Sequence, residues 1–184
     1  MKKLAKFLII LIIFLLTYFT LFKILEVDKI IMKKIYPLKY SEYVEKYSKE
    51  YNIDPYMTYA IIKAESNFDS EAKSSSEAIG LMQIMEETAE DVIATLDFEE
   101  YNLYSPNDNI QIGIKYFSYL LDKYKEPSLA LAAYNAGLGN VDNWIKKGII
   151  KSDGTDYENI PFKETNMYVR KILRDYEIYI SKIS

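Results

Sequence analysis

Histidine and cysteine are both missing from this 184-residue sequence. Their absence removes imidazole bases, thiolate nucleophiles, disulfides and nearly every transition-metal site at once. No metal or cofactor is therefore expected, and acid–base chemistry must rest on carboxylates, tyrosines or lysines. The lack of cysteine also excludes a lipid-modified cysteine anchor, while a disulfide-free chain can fold on either side of a membrane. An excess of positive charge is lacking too. The formal net charge is -4, and three of the lysines, Lys2, Lys3 and Lys6, cluster at the start. The rest of the chain is more acidic still, so nucleic acid is not an expected partner. No internal repeat stands out, and no stretch alternates convincingly as a strand would.

Tyrosine is what the chain has in surplus. Eighteen tyrosines, eight phenylalanines and one tryptophan make up 15% of the residues. Such rings can offer flat faces and hydroxyls to a sugar, or fill a helical core with the hydroxyl reaching the surface. Length and composition suit one globular domain with a short appendage.

The appendage is legible first. Residues 7 to 22 of the opening "MKKLAKFLIILIIFLLTYFTLFK" form an apolar run broken only by Thr17 and Thr20, close to spanning length. Lys23 leads into "ILEVDKIIMKK" with no small-residue cleavage pattern, so the run reads as an uncleaved membrane anchor over residues 1–23. Lysines flank it on both sides, and charge alone does not orient it. Residues 24–40 read as a stalk. From residue 41 a helical period takes over, and residues 41–184 are expected to form one all-α domain.

Within that domain Asp54 and Pro55 form a helix start, and the helix they open should end near Ser66 and Asn67. A polar loop, "SEAKSSSEAIG", comes next. A short helix is expected around "EETAEDVIATL", then an irregular stretch from Asp97 to Pro106. Ile110, Ile114, Phe117, Leu120, Leu121 and Tyr124 give the next helix its apolar stripe. Pro127 opens another, which breaks at Gly137 and Gly139, and a short helix runs on to Gly148. "PFKETNMYVRKILRDYEIYISKI" places Tyr168, Val169, Ile172, Leu173, Tyr176, Tyr179 and Ile180 on one stripe.

Glu65, in "IIKAESNF", sits at the unfavourable end of its helix, where backbone carbonyls point partial negative charge at it. Ile61 and Ile62 share its face, and Phe68 lies three residues on. Helix end and burial together raise a carboxyl pKa, the property a general acid needs to hold its proton near neutral pH. The plain alternative is an exposed glutamate on a frayed helix end. "GLMQIM", with Gln83 the only amide in an apolar run, and "AAYNAGLGN", with a tyrosine and an asparagine between small residues, are further candidates for contact with a ligand. Each also reads simply as a loop or a helix stop. Glu164 stands at a helix start, where dipole stabilisation alone accounts for it.

In order and spacing these fragments resemble the catalytic domain of soluble lytic transglycosylases, a lysozyme-like domain related to goose-type lysozyme. The match runs from Tyr51 to Tyr179. It rests on "ES" at Glu65 and Ser66, "GLMQ" at Gly80 to Gln83, "AYNAG" at Ala133 to Gly137, and "ETNMYV" at Glu164 to Val169. The resemblance implies that Glu65 is the single catalytic acid/base. It implies that Ser74, Gln83, Met85, Tyr134, Asn135, Glu164 and Tyr168 line or order a glycan groove. Peptidoglycan glycan strands would be the substrate, and the domain would face the outside of the cell membrane that anchors it. Two departures from the family pattern are Glu77, where a small residue often glycine is usual, and Glu86, where a proline is usual.

The chemistry the resemblance implies needs one carboxyl group. Glu65 would protonate the oxygen between N-acetylmuramic acid and N-acetylglucosamine, then deprotonate the C6 hydroxyl so that it closes on C1 as a 1,6-anhydro ring. A muramidase on the same fold would instead need a second acid, such as Glu71, Glu77 or Asp97, to position water. A third reading is a wall-binding scaffold that keeps the groove without turnover.

Overall fold

The computed structural model describes residues 2–25, 27–96 and 100–183. The chain divides into two compact units, the first ending at Leu38 and the second beginning at Lys39. In the first unit, α1 (Lys2–Ile24) is the spanning-length helix, with a mean hydropathy of 2.6 and none of its side chains buried. Its two hydroxyls are satisfied internally, Thr17 donating to the Phe14 carbonyl and Thr20 to that of Leu16, which suits a helix surrounded by hydrocarbon. The stretch read as a stalk contains a further helix, α2 (Val27–Ile35).

Among the described residues the second unit is helical throughout, with two isolated bridges in place of strands. Its helices are α3 (Ser41–Glu50), α4 (Pro55–Glu65), α5 (Glu86–Ile93), α6 (Pro106–Tyr124), α7 (Pro127–Ala136), α8 (Leu138–Lys146) and α9 (Lys163–Lys182), with a 3-10 turn at Tyr157–Asn159. Starts obey the sequence signals. Asp54 accepts from the Tyr56 amide at 2.8 Å ahead of Pro55, and Pro106 and Pro127 each open a helix.

Helix α7 explains the arrangement around it. Ser128 to Ala133 are all buried, and a helix apolar all round must be enclosed. It packs against α6, α8 and α9, while α6 also packs against α3 and α5, and α4 against α9. One ion pair crosses the α4–α9 contact. The fully buried Asp175 holds Lys63 at 2.8 Å and Arg174 at 3.2 Å. Breaking such a buried pair from one side costs several kcal/mol, more than the intact pair contributes.

The long loop between α4 and α5 has little regular structure, and α6 holds it in place. Asn109, fully buried, accepts from the Met82 amide at 2.8 Å and donates to the Ile79 and Leu103 carbonyls at 2.9 and 2.8 Å. Two glycines allow this approach. A Cβ on Gly80 would lie 2.4 Å from both the Asn109 amide and the Leu103 carbonyl, and one on Gly113 would lie 2.5 Å from the Met82 sulfur. Replacing Asn109 by Ala leaves the Met82 amide and the Leu103 carbonyl unpaired, while the Ile79 carbonyl keeps the Ile84 amide, and is expected to lower stability by on the order of 3 kcal/mol. Denaturant unfolding of the full chain in detergent measures this, and a loss below about 1 kcal/mol would mean the loop holds without it.

Candidate active site

Glu65 is the last residue of α4, and Ser66 caps it. The Ser66 amide bonds back to the Ile62 carbonyl at 3.0 Å, while its hydroxyl donates to the Leu81 carbonyl at 2.8 Å. The helix end and the "GLMQ" loop are thus locked together. From α9 the Tyr168 hydroxyl donates to Glu65 Oε1 at 2.5 Å. One turn further along α9, the Lys171 ammonium donates to the Ala64 carbonyl at 3.3 Å.

Burial pushes the Glu65 carboxyl from 4.5 up to about 7, against the opposing pull of the Tyr168 hydrogen bond and the Lys171 charge. The group can therefore both hold and release a proton near neutral pH. Burial and the neighbouring Glu65 carboxylate hold the Tyr168 and Tyr134 phenols well above their ordinary range, so both remain donors. Among the described residues, no second carboxylate is one of the groups that shift Glu65.

The other expected site residues fall into two sets. Tyr134, near the end of α7, donates to the Met82 carbonyl at 2.7 Å and joins Glu65 and Tyr168 in one electrostatic cluster. Asn135 accepts from the Thr165 hydroxyl at 2.7 Å, pinning α7 to the first turn of α9. Glu164, exposed, lies one turn before Tyr168. Ser74 and Gln83 chiefly shape the loop. The Ser74 hydroxyl accepts from the Ser76 and Ala78 amides, and the Gln83 amide nitrogen donates to the Gly80 and Ala72 carbonyls. Met85, 42% exposed, stands at the entry to α5.

Of the acids that might position water, Glu71 and Glu77 are exposed, and Glu77 is ion-paired with Lys73; Asp97 lies outside the described residues. Glu77 has φ +66°, a left-handed conformation costing a non-glycine residue roughly 1–2 kcal/mol. This is the position at which the resemblance leads one to expect a small residue, often glycine. Lys171 has structural weight without a clear sequence signal, whereas Thr165 lies inside the "ETNMYV" motif and Asn109 in an "NI" pair that is also in register with the resemblance. Spacing alone hints at Lys171, three positions after Tyr168 and so on the same helical face.

The architecture is lysozyme-like, with one raised carboxyl group at a helix end backed by tyrosines. A family model described as "Transglycosylase SLT domain" matches residues 42–155. The chain is 33% identical over 154 residues to a soluble lytic murein transglycosylase of Salmonella typhimurium, covering 80% of this chain and 24% of that one. It is 36% identical over 116 residues to a membrane-bound lytic murein transglycosylase C of Actinobacillus pleuropneumoniae, covering 56% of this chain and 32% of that one. The 70 kDa soluble lytic transglycosylase of Escherichia coli superposes with a TM-score of 0.74 at 32% identity, over 81% of this chain and 25% of that one. An inactive glutamate-to-glutamine mutant of a Pseudomonas aeruginosa lytic transglycosylase gives 0.73 at 32% identity, over 80% of this chain and 25% of that one. The chain belongs to the transglycosylase SLT domain family, and it spans about a quarter of the length of the first of these curated relatives.

A carboxyl group whose folded pKa lies above its unfolded one weakens the fold as pH rises, because the folded state keeps a proton that the unfolded chain has released. Stability is therefore expected to fall between about pH 4.5 and pH 7, by up to roughly 3 kcal/mol. Glu65→Gln, which still accepts from Tyr168, should lack that decline and be the more stable protein at pH 8. Unfolding curves at pH 5 and pH 8 compare the two; parallel pH dependence would contradict the raised pKa.

Proposed function

We propose that this protein is a peptidoglycan lytic transglycosylase, cleaving the β-1,4 bond between N-acetylmuramic acid and N-acetylglucosamine with formation of 1,6-anhydro-N-acetylmuramic acid. The observation that carries this reading is the raised Glu65 carboxyl group, held by Tyr168 and with no second carboxylate acting on it among the described residues. The relatives known as lytic murein transglycosylases and the inactive glutamate-to-glutamine mutant among the similar structures support it.

With Tyr168 bonded to Oε1, the transferable proton belongs on Oε2. Glu65 gives that proton to the glycosidic oxygen as the C1–O bond breaks, and the N-acetylglucosamine end leaves as an alcohol. The substrate's own N-acetyl carbonyl shields the charge forming at C1. Glu65, now a carboxylate, takes the proton of the C6 hydroxyl as that oxygen bonds to C1. The acid is regenerated, and no water is consumed. An internal hydroxyl has an effective molarity on the order of 10⁵ M or more, which favours it over water. Tyr134, Gln83, Ser74, Met85, Asn135 and Glu164 act by lining and orienting the strand, and the tyrosine hydroxyls, kept protonated, are suited to donate to it.

Product analysis tests the reaction. Fragments released from purified sacculi should end in 1,6-anhydro-N-acetylmuramic acid, unreactive to borohydride. Mainly borohydride-reducible ends would make the protein a muramidase and leave Glu65 its role as acid. Glu65→Gln should cut turnover by at least roughly 10²- to 10⁴-fold; a variant that stayed active would remove Glu65 from the mechanism.

In this reading residues 1–23 anchor the protein in the cell membrane as a single pass, residues 24–40 form a linker that includes α2, and residues 41–184 form the catalytic domain outside the cytoplasm. The apolar helix α1 and the membrane-bound relative support anchoring. Protease added to intact spheroplasts should digest the domain while the protein stays membrane-associated at full length. A domain untouched by the protease would reverse the orientation.

A further inference from the structure

A cavity of about 620 Å³ opens between α5 and α6, closed at one end by Leu138 at the start of α8. That is an ordinary size for a ligand pocket. Its walls continue those of the site. Helix α5 begins directly after Met85, Leu138 directly succeeds Gly137, and the ring of Tyr116 lies 5.5 Å from that of Tyr134.

The lining has hydrogen-bonding groups without protein partners. Among the described residues, the side chains of Thr88, Asp91, Tyr116 and Tyr119 make no hydrogen bond. Tyr119 is 55% exposed, so its ring is open to a ligand. Asp91 and Tyr119 both face Tyr116, whose phenol they and burial push up. In a neighbouring depression along α6 several polar groups are engaged, with Ser118 donating to the Tyr51 carbonyl and the Tyr51 hydroxyl accepting from Gln111.

We propose that this cavity is an additional sugar-binding subsite, which takes a ring of the glycan strand beyond those held around Glu65. The inference rests on the glycan-cleaving reading and extends it to strand length. Open aromatic faces suit the apolar face of a pyranose, and a carboxylate with three hydroxyls suits its ring of alcohols. A charged amine from a stem peptide fits less well. Lys115 lines the same cavity, with its ammonium 5.1 Å from the Tyr51 ring, and adds positive charge to the lining. Asp122 is paired with Lys125 and adds no open charge.

Calorimetry on the full chain in detergent, in the Glu65→Gln background that retains the groove without turnover, separates the possibilities. The probes are peptide-free glycan tetrasaccharide and octasaccharide. Tyr119→Ala and Asp91→Asn should each weaken octasaccharide binding by roughly 5- to 10-fold and leave the tetrasaccharide within about twofold. Equal loss for both lengths, or no loss for either, overturns the subsite. Loss seen only with peptide-bearing strands overturns it in favour of a stem-peptide site. If the parent protein binds neither oligomer, the carbohydrate reading fails as a whole; if it binds both equally, the subsite alone fails.

Discussion

The side-chain amide of Asn109 is the constraint on which the site depends. The loop from Ser66 to Met85 has almost no regular structure with which to satisfy its own backbone, yet it must stand beside Glu65 in one conformation. Asn109 supplies from α6 an acceptor for the Met82 amide and a further donor to the Ile79 carbonyl, which the Ile84 amide also reaches. Tyr134 reaches Met82 from α7, and Ser66 reaches Leu81 from α4. Side chains from three helices and their caps thus converge on three loop residues, Ile79, Leu81 and Met82. Their fixed spacing is what can give Gln83 and Met85 a defined position relative to the carboxyl group.

Glu65 works against the fold that presents it. Burial and the helix end both disfavour its ionised form, and the surrounding contacts offset only part of that. Tyr168 and Lys171 pull its pKa down without cancelling the rise. Lys63 of α4 pairs with Asp175 of α9 and Lys171 of α9 donates to the Ala64 carbonyl, so a destabilising group sits where the two helices are tied together.

Much of this was legible in the sequence. Apolar period and the capping residues at Asp54 and Pro55 gave the helices, and Glu65 stood out because its position is electrostatically poor. The "GLMQ" and "AYNAG" motifs fell on the two segments that face it. What escaped was set by distant partners. Nothing near Lys171 reveals that its ammonium reaches Ala64, 107 residues earlier, and Asn109, although in register with the family, shows its role only once the loop wraps over it. The helix α2 was hidden in a stretch of only 9 residues whose lysines resemble a solvated linker. Glu77 was legible as a departure from the family, but its cost became clear only from its positive φ.

The bond between Tyr168 and Glu65 joins residues 103 positions apart, which has a consequence during synthesis. A ribosome adding roughly 5–20 residues per second needs about 5–20 s after making Glu65 before Tyr168 exists. Throughout that interval α4 has no α9 to pack against. Its terminal carboxyl group is then hydrated and has the proton affinity of any free glutamate. The acid acquires its character only when the later helix docks, so a nascent or truncated chain would carry the motif but lack the chemistry.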